Sequence, residues 1–112
     1  MSNVVVIGAG MSGIACARAL QAEGVTVRLI DKGRSIGGRM STRRAAVFGK
    51  TITFDHGAQY LDQSEDAAAI AALGKEAVDA WYLRDGASRI VGVPGMAALP
   101  RVLANGLDVT LN

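Results

Sequence analysis

The sequence predicts an α/β domain built on a parallel sheet, and three observations predict it. The chain opens on a β-branched run, NVVVI at residues 3–7, that stops at a glycine; such continuous runs suit parallel strands covered on both faces. Residues 12–23 then change to helical spacing, with Ile14, Ala17 and Leu20 three apart. Val25, Val27, Leu29 and Ile30 resume strand character and finish at Asp31. A strand, a helix and a strand in that little chain match a βαβ crossover, which makes the two strands parallel. Gly24 stands where a helix is usually ended by a residue in a left-handed conformation.

The later elements are read the same way. Residues 32–50 are rich in Gly, Arg and Ser and read as a loop with at most a short helical turn, leading into a strand at residues 51–54. Residues 64–82 read as helix: Ser64 is a cap, Glu65 and Asp66 suit the first turn, alanines follow, and Leu73 with Gly74 divides the stretch. A short strand is expected at residues 89–93 and a turn at Pro94 and Gly95. A helix is expected at residues 96–105 despite Pro100. Leu107, Val109 and Leu111 alternate as in a half-buried closing strand. There is no internal repeat and no low-complexity linker.

A length of 112 residues sets the scale of one domain. Half the residues are hydrophobic, Gly numbers 14 and Pro 2, a balance that excludes a disordered chain. The net charge is only +2, yet residues 28–50 hold seven bases against Asp31, and residues 51–79 hold six acids against Lys75. A basic stretch with so few aromatics could meet nucleic acid but suits one small anionic molecule equally well, and with the motifs below no nucleic-acid partner is expected. The single cysteine, Cys16, forms no internal disulfide, and no Cys/His cluster offers a metal site, so a reducing, cytoplasmic setting is expected. Cys16 itself reads as inert packing inside the first helix. The apolar stretch at residues 4–17 has no preceding base and is too short to span a bilayer, so neither a signal peptide nor a membrane partner is expected.

The chemistry concentrates at GAGMSG, which places Gly8, Gly10 and Gly13 between a strand and a helix. In a GxGxxG turn the first glycine permits the sharp bend, the second lets backbone approach a pyrophosphate, and the third lets the helix pack on the strand. The helix N-terminus then offers free N–H groups and a favourable dipole to the anion. Glycine-rich turns are common, but Asp31 ends the second strand where a carboxylate can accept both hydroxyls of an adenosine ribose. The whole register points to a Rossmann-like dinucleotide site. A ribose-binding acid disfavours a 2′-phosphate, although Lys32 and Arg34 could tolerate one. Further on, Gly37 and Gly38 allow close backbone approach, and Arg39 could reach the pyrophosphate bidentately; the plainer alternative is a surface turn with a solvated arginine.

VVVIGAGMSGIACARALQAEGVTVRLIDKGRSIGGRM, residues 4–40, resembles the N-terminus of FAD-dependent flavoproteins related to amine oxidases. FDHGAQYL at 54–61 and VGVPGMAALPRVLA at 91–104 are similar to the bacterial renalase-like branch of that superfamily. The resemblance implies FAD lying extended, its adenosine end on the Rossmann-like unit and its ring facing a substrate domain, begun here by about residues 62–90. It implies that Gly8, Gly10, Ser12 and Gly13 hold the pyrophosphate, that Asp31 holds the ribose, and that Gly38 and Arg39 return to the pyrophosphate. His56, Gly57, Ala58 and Gln59 would lie near the flavin ring, where small residues let a flat ring approach the backbone. Lys32 completes the cofactor-binding set.

Renalase-like enzymes oxidise dihydropyridine isomers of NAD(P)H and pass the electrons to oxygen, giving peroxide; an amine is the alternative substrate. No catalytic side chain is assigned, because the hydride chemistry belongs to the flavin. The sole histidine, His56, reads as a polar residue at a strand end rather than a general base. Trp81 and Tyr82 read as core rather than pocket wall, and Arg43 and Arg44 as a solvated face. Members of this family are roughly three times longer, so the chain is expected to be an incomplete portion of such an enzyme, residues 1–112 being its FAD-binding part. A free NAD(P)-binding module and a purely structural α/β domain are the rivals from other classes.

Overall fold

The computed structural model describes residues 3–62 and 64–112. The chain divides into two compact units, Met1–Arg39 with Pro100–Asn112, and Met40–Leu99.

The first unit is the expected crossover. Strand β1 (Asn3–Ile7) leads into helix α1 (Met11–Ala22) and returns as β2 (Thr26–Asp31), which pairs with β1 in parallel, Val4 opposite Val27 and Ile7 opposite Ile30. The last strand, β7 (Asp108–Leu111), pairs in parallel on the other side of β2, giving the order β1-β2-β7. The helix lays Ile14 and Ala17 on this sheet, and a core of Ala17, Val27 and Leu29 is extended by Val6, Leu20, Val25, Leu107 and Val109. The α1 terminus is a full Schellman closure. Gly24, at φ +81°, donates to Gln21 O, and Val25 donates to Leu20 O, so two helix-end carbonyls are satisfied where a left-handed residue is required.

Burial of β1 on both faces is corrected. Val5 is 54 % and Ile7 80 % exposed, because α1 covers only the face bearing Val27 and Leu29 and these two side chains alternate to the other. Cys16 is also exposed rather than packed. Two residues past Ile14, it is turned about 200° around the helix, away from the sheet.

The second unit holds two antiparallel hairpins and a short helix. Strands β3 (Thr42–Val47) and β4 (Lys50–Asp55) pair from Thr42 opposite Asp55 to Val47 opposite Lys50. The expected loop over residues 32–50 therefore contains a strand. Phe48 and Gly49 form its two-residue turn with φ of +50° and +74°, the signs a type I′ hairpin needs. Helix α2 (Glu65–Leu73) starts as expected, the Ser64 hydroxyl accepting the Ala67 N–H at 3.1 Å. It ends at Gly74, and after a 3-10 turn (Lys75–Ala77) the chain becomes strand β5 (Val78–Tyr82), paired with β6 (Ser88–Gly92). The expectation of helix to residue 82 is corrected: Val78, Trp81 and Tyr82 are β-formers, and pairing with β6 overrides the alanines before them. Trp81 and Tyr82 are 44 % and 75 % exposed, not core. The buried hydrophobic residues described in this unit are Ala67, Ala77, Met96, Ala97 and Leu99. Helix α3 (Ala98–Leu103) carries the chain onward, with Pro100 in its first turn where a missing N–H costs nothing. No described helix is long and apolar enough to cross a membrane.

A Cβ built on Gly13 overlaps the Gly8 carbonyl oxygen. Gly13→Ala therefore gains about 1 kcal/mol of helix propensity but forces α1 off β1, with an expected net loss of about 1–3 kcal/mol. Urea denaturation of the two proteins measures it.

Candidate functional site

The dinucleotide fingerprint is assembled from two glycine segments that meet backbone to backbone. After β1, Gly8 takes φ +106° and donates to Ile30 O at 2.7 Å, turning the chain above the end of β2. Ala9 is buried, and Gly10 is the N-cap of α1, its carbonyl accepting the Ile14 N–H at 3.0 Å. The second segment, Gly37 and Gly38 at φ +110° and +56°, lies against the first. Gly37 N–H donates to Ala9 O at 2.8 Å, and a Cβ on Gly38 would stand 3.1 Å from Gly10 Cα. The close approach that these glycines permit is thus, first of all, an approach to each other.

Asp31 joins the turns. Its Oδ2 accepts the Ala9 N–H at 2.6 Å and its Oδ1 the Gly33 N–H at 2.7 Å. These two bonds, that from Ala9 first, hold the carboxyl below its ordinary range, and the charge of Lys32 adds to them. A carboxylate offers about four acceptor positions, so two remain for a ligand's hydroxyls.

Around this cradle, Ser12, Lys32, Gly38 and Arg39 are exposed. Helix α1 has no side-chain cap and no acid in its first turn. Its leading N–H groups have no intrahelical acceptor, and its dipole is uncompensated, the state of a helix N-terminus suited to an anion.

In the second unit His56 directly follows β4 and its Nε2 lies 3.0 Å from Ser41 Oγ, both at the surface. Gly57 and Gln59 are exposed and Ala58 is half-buried. Arg43 and Arg44 are exposed, as a solvated face requires. The residue that sequence reasoning missed is Asp55. Its Oδ1 accepts the Thr42 hydroxyl at 2.7 Å and the Met96 N–H at 2.9 Å, and Thr42 Oγ1 accepts the Ala97 N–H at 3.1 Å. The motifs at 54–61 and 91–104 are therefore hydrogen-bonded to each other. The signal was the register of an unread hairpin, which puts Thr42 opposite Asp55. Beside it an open pocket of about 320 Å³ is lined by Asp55, Gln59, Trp81 and Val91. Among the described residues no group of His, Cys, Asp and Glu is placed to hold a metal ion.

A family model described as an NAD(P)-binding Rossmann-like domain matches residues 6–77. The chain belongs to that family. Among solved structures, this Rossmann-like chain is similar to a triple mutant of putrescine oxidase, with 28 % identity over 81 % of the chain and a TM-score of 0.52. It shares its fold with cyclohexylamine oxidase from Brevibacterium oxydans, at 24 % identity, 84 % coverage and a TM-score of 0.50. It also shares its fold with a candidate FAD-containing monooxygenase from Photorhabdus luminescens, at 16 % identity, full coverage and a TM-score of 0.53. The Rossmann-like chain spans 22 % of each of the two oxidases and 31 % of the monooxygenase.

Because the folded-state pKa of Asp31 is lowered, its stabilising contribution is complete above the unfolded carboxylate value and is lost as pH falls through the folded one. Asp31→Asn is expected to cost about 1–3 kcal/mol at neutral pH. The gap from wild type should close below about pH 4, as read from urea midpoints at pH 7 and pH 3.

Proposed function

We propose that this chain is the FAD-binding part of a flavin-dependent oxidoreductase acting on a small molecule with oxygen as acceptor. The observation that carries the reading is the cradle in which Gly10 and Gly38 meet over an uncapped helix N-terminus. Such a cradle has no side chain to obstruct a pyrophosphate and leaves N–H groups to receive it. FAD rather than a free nicotinamide nucleotide is supported by the second glycine segment with Arg39, and by an oxidase and a monooxygenase among the structural neighbours.

The chain's own residues would divide the work. Backbone at Gly8, Gly10 and Gly13 with Ser12 binds the pyrophosphate, and Gly38 and Arg39 complete its shell. Asp31, already oriented by Ala9 and Gly33, accepts the ribose hydroxyls through its remaining lone pairs. The exposed bases Lys32, Arg34 and Arg39 draw the anion in. His56, Gly57, Ala58 and Gln59 lie near the flat ring, Gly57 and Ala58 being small enough to let it approach the backbone. When bound, the flavin supplies hydride acceptance and delivery of electrons to oxygen, with peroxide as product.

The motifs at 54–61 and 91–104 support a renalase-like substrate, a dihydropyridine isomer of NAD(P)H. An amine is supported by the putrescine oxidase match.

Purified chain given FAD and freed of excess is expected to show flavin absorption near about 370 and 450 nm. Gly10→Val, which fills the approach between the glycine segments, is expected to lose that absorption while keeping its circular dichroism. Equal flavin content in the variant would overturn the cradle as the binding site.

A further inference from the structure

The pocket of the second unit has a chemical character of its own. Asp55 is tethered through Oδ1 to Thr42 and Met96, and among the described residues no donor reaches its Oδ2. A carboxylate fixed by one oxygen gives up little freedom when a ligand meets the other. Facing the same space is Trp81, 44 % exposed and set edge-on to Tyr60 at 6.1 Å and 66°. Tyr60 already carries a cation, the Arg89 guanidinium 5.5 Å from its ring centre, whereas no such partner sits on Trp81 among the described residues. Gln59 adds an amide and Val91 an apolar wall. A fixed anion beside an open indole is complementary to a cation carrying an apolar body. An anion would meet like charge, and a neutral molecule would desolvate Asp55 without compensation.

We infer that this pocket binds a small organic cation, an alkylammonium or a pyridinium, its charge against Asp55 and its body against Trp81. Reading that cation as substrate or product of the oxidoreductase rests on the flavin reading above; the binding site itself does not.

Trp81 is the only tryptophan, so its fluorescence reports on the pocket directly. Benzyltrimethylammonium, titrated into the purified chain, is expected to quench it saturably, while benzyl alcohol and benzoate at equal concentration are not. Asp55→Asn keeps an oxygen for Thr42 and Met96 but removes the charge, and is expected to weaken the cation by about tenfold or more. Val91→Lys leaves the Asp55 tether intact, brings a competing charge to the pocket wall, and is expected to abolish saturation with unchanged circular dichroism. A linear quench, an equal response to benzyl alcohol, or both variants titrating like wild type would overturn the inference. A chain that retains FAD without saturable quenching overturns it alone. Saturable quenching in a chain that retains no FAD supports the pocket and removes the flavin reading.

Discussion

One carboxylate organises the first unit. Asp31 ends β2, yet its two oxygens serve the backbone of two different turns, Ala9 after β1 and Gly33 after β2. Charge-assisted bonds of this kind are about twice as strong as neutral ones. Here they bind the ends of adjacent parallel strands at the edge where the glycine segments must meet. Without that clamp, nothing in the sequence of a glycine-rich turn would choose one backbone path over another, since glycine carries the largest conformational entropy to lose. The fingerprint glycines grant freedom, and Asp31 takes most of it back.

The second unit solves a different problem. Two-stranded hairpins are marginal by themselves, and its buried side chains are mostly alanines. A polar knot compensates. Thr42 from β3, Asp55 from β4 and the amides of Met96 and Ala97 form one chain of hydrogen bonds, and Gly95 is held so close to Thr42 that a Cβ there would collide with it. Linked bonds polarise one another and are worth more together than apart, so the stretches at 54–61 and 91–104 are fixed by polar geometry where apolar area is short.

What was legible in the sequence was local. The crossover, its glycines, the Gly24 closure, the Ser64 cap and the closing alternation at Leu107, Val109 and Leu111 each declare themselves within a few residues. The hairpin at 42–55 did not, because Arg43 and Arg44 interrupt any apolar alternation and Phe48 occupies a turn position with positive φ that Gly or Asn ordinarily takes. Strand β5 was hidden by the alanines before it, and its identity comes from β6. Asp55 as an anchor was illegible for the same reason: its partners Thr42 and Met96 lie 13 and 41 residues away, and only register and tertiary return bring them to it. The glycine-rich turn was readable as a motif, whereas the mutual contact of Gly10 and Gly38 was not.

The order of the units along the chain carries a consequence for synthesis. The second unit is one continuous segment, Met40–Leu99, while the first is split, its sheet lacking β7 until residues 108–111 follow. A ribosome emitting this chain releases the crossover first, with one edge of β2 open through the making of every residue between Asp31 and Asp108. Closing that edge joins residues eighty apart in the chain, Arg28 to Asp108, a long-range step with a large loop-closure entropy to overcome. During translation the open β2 edge is thus exposed to pairing with a neighbouring nascent chain.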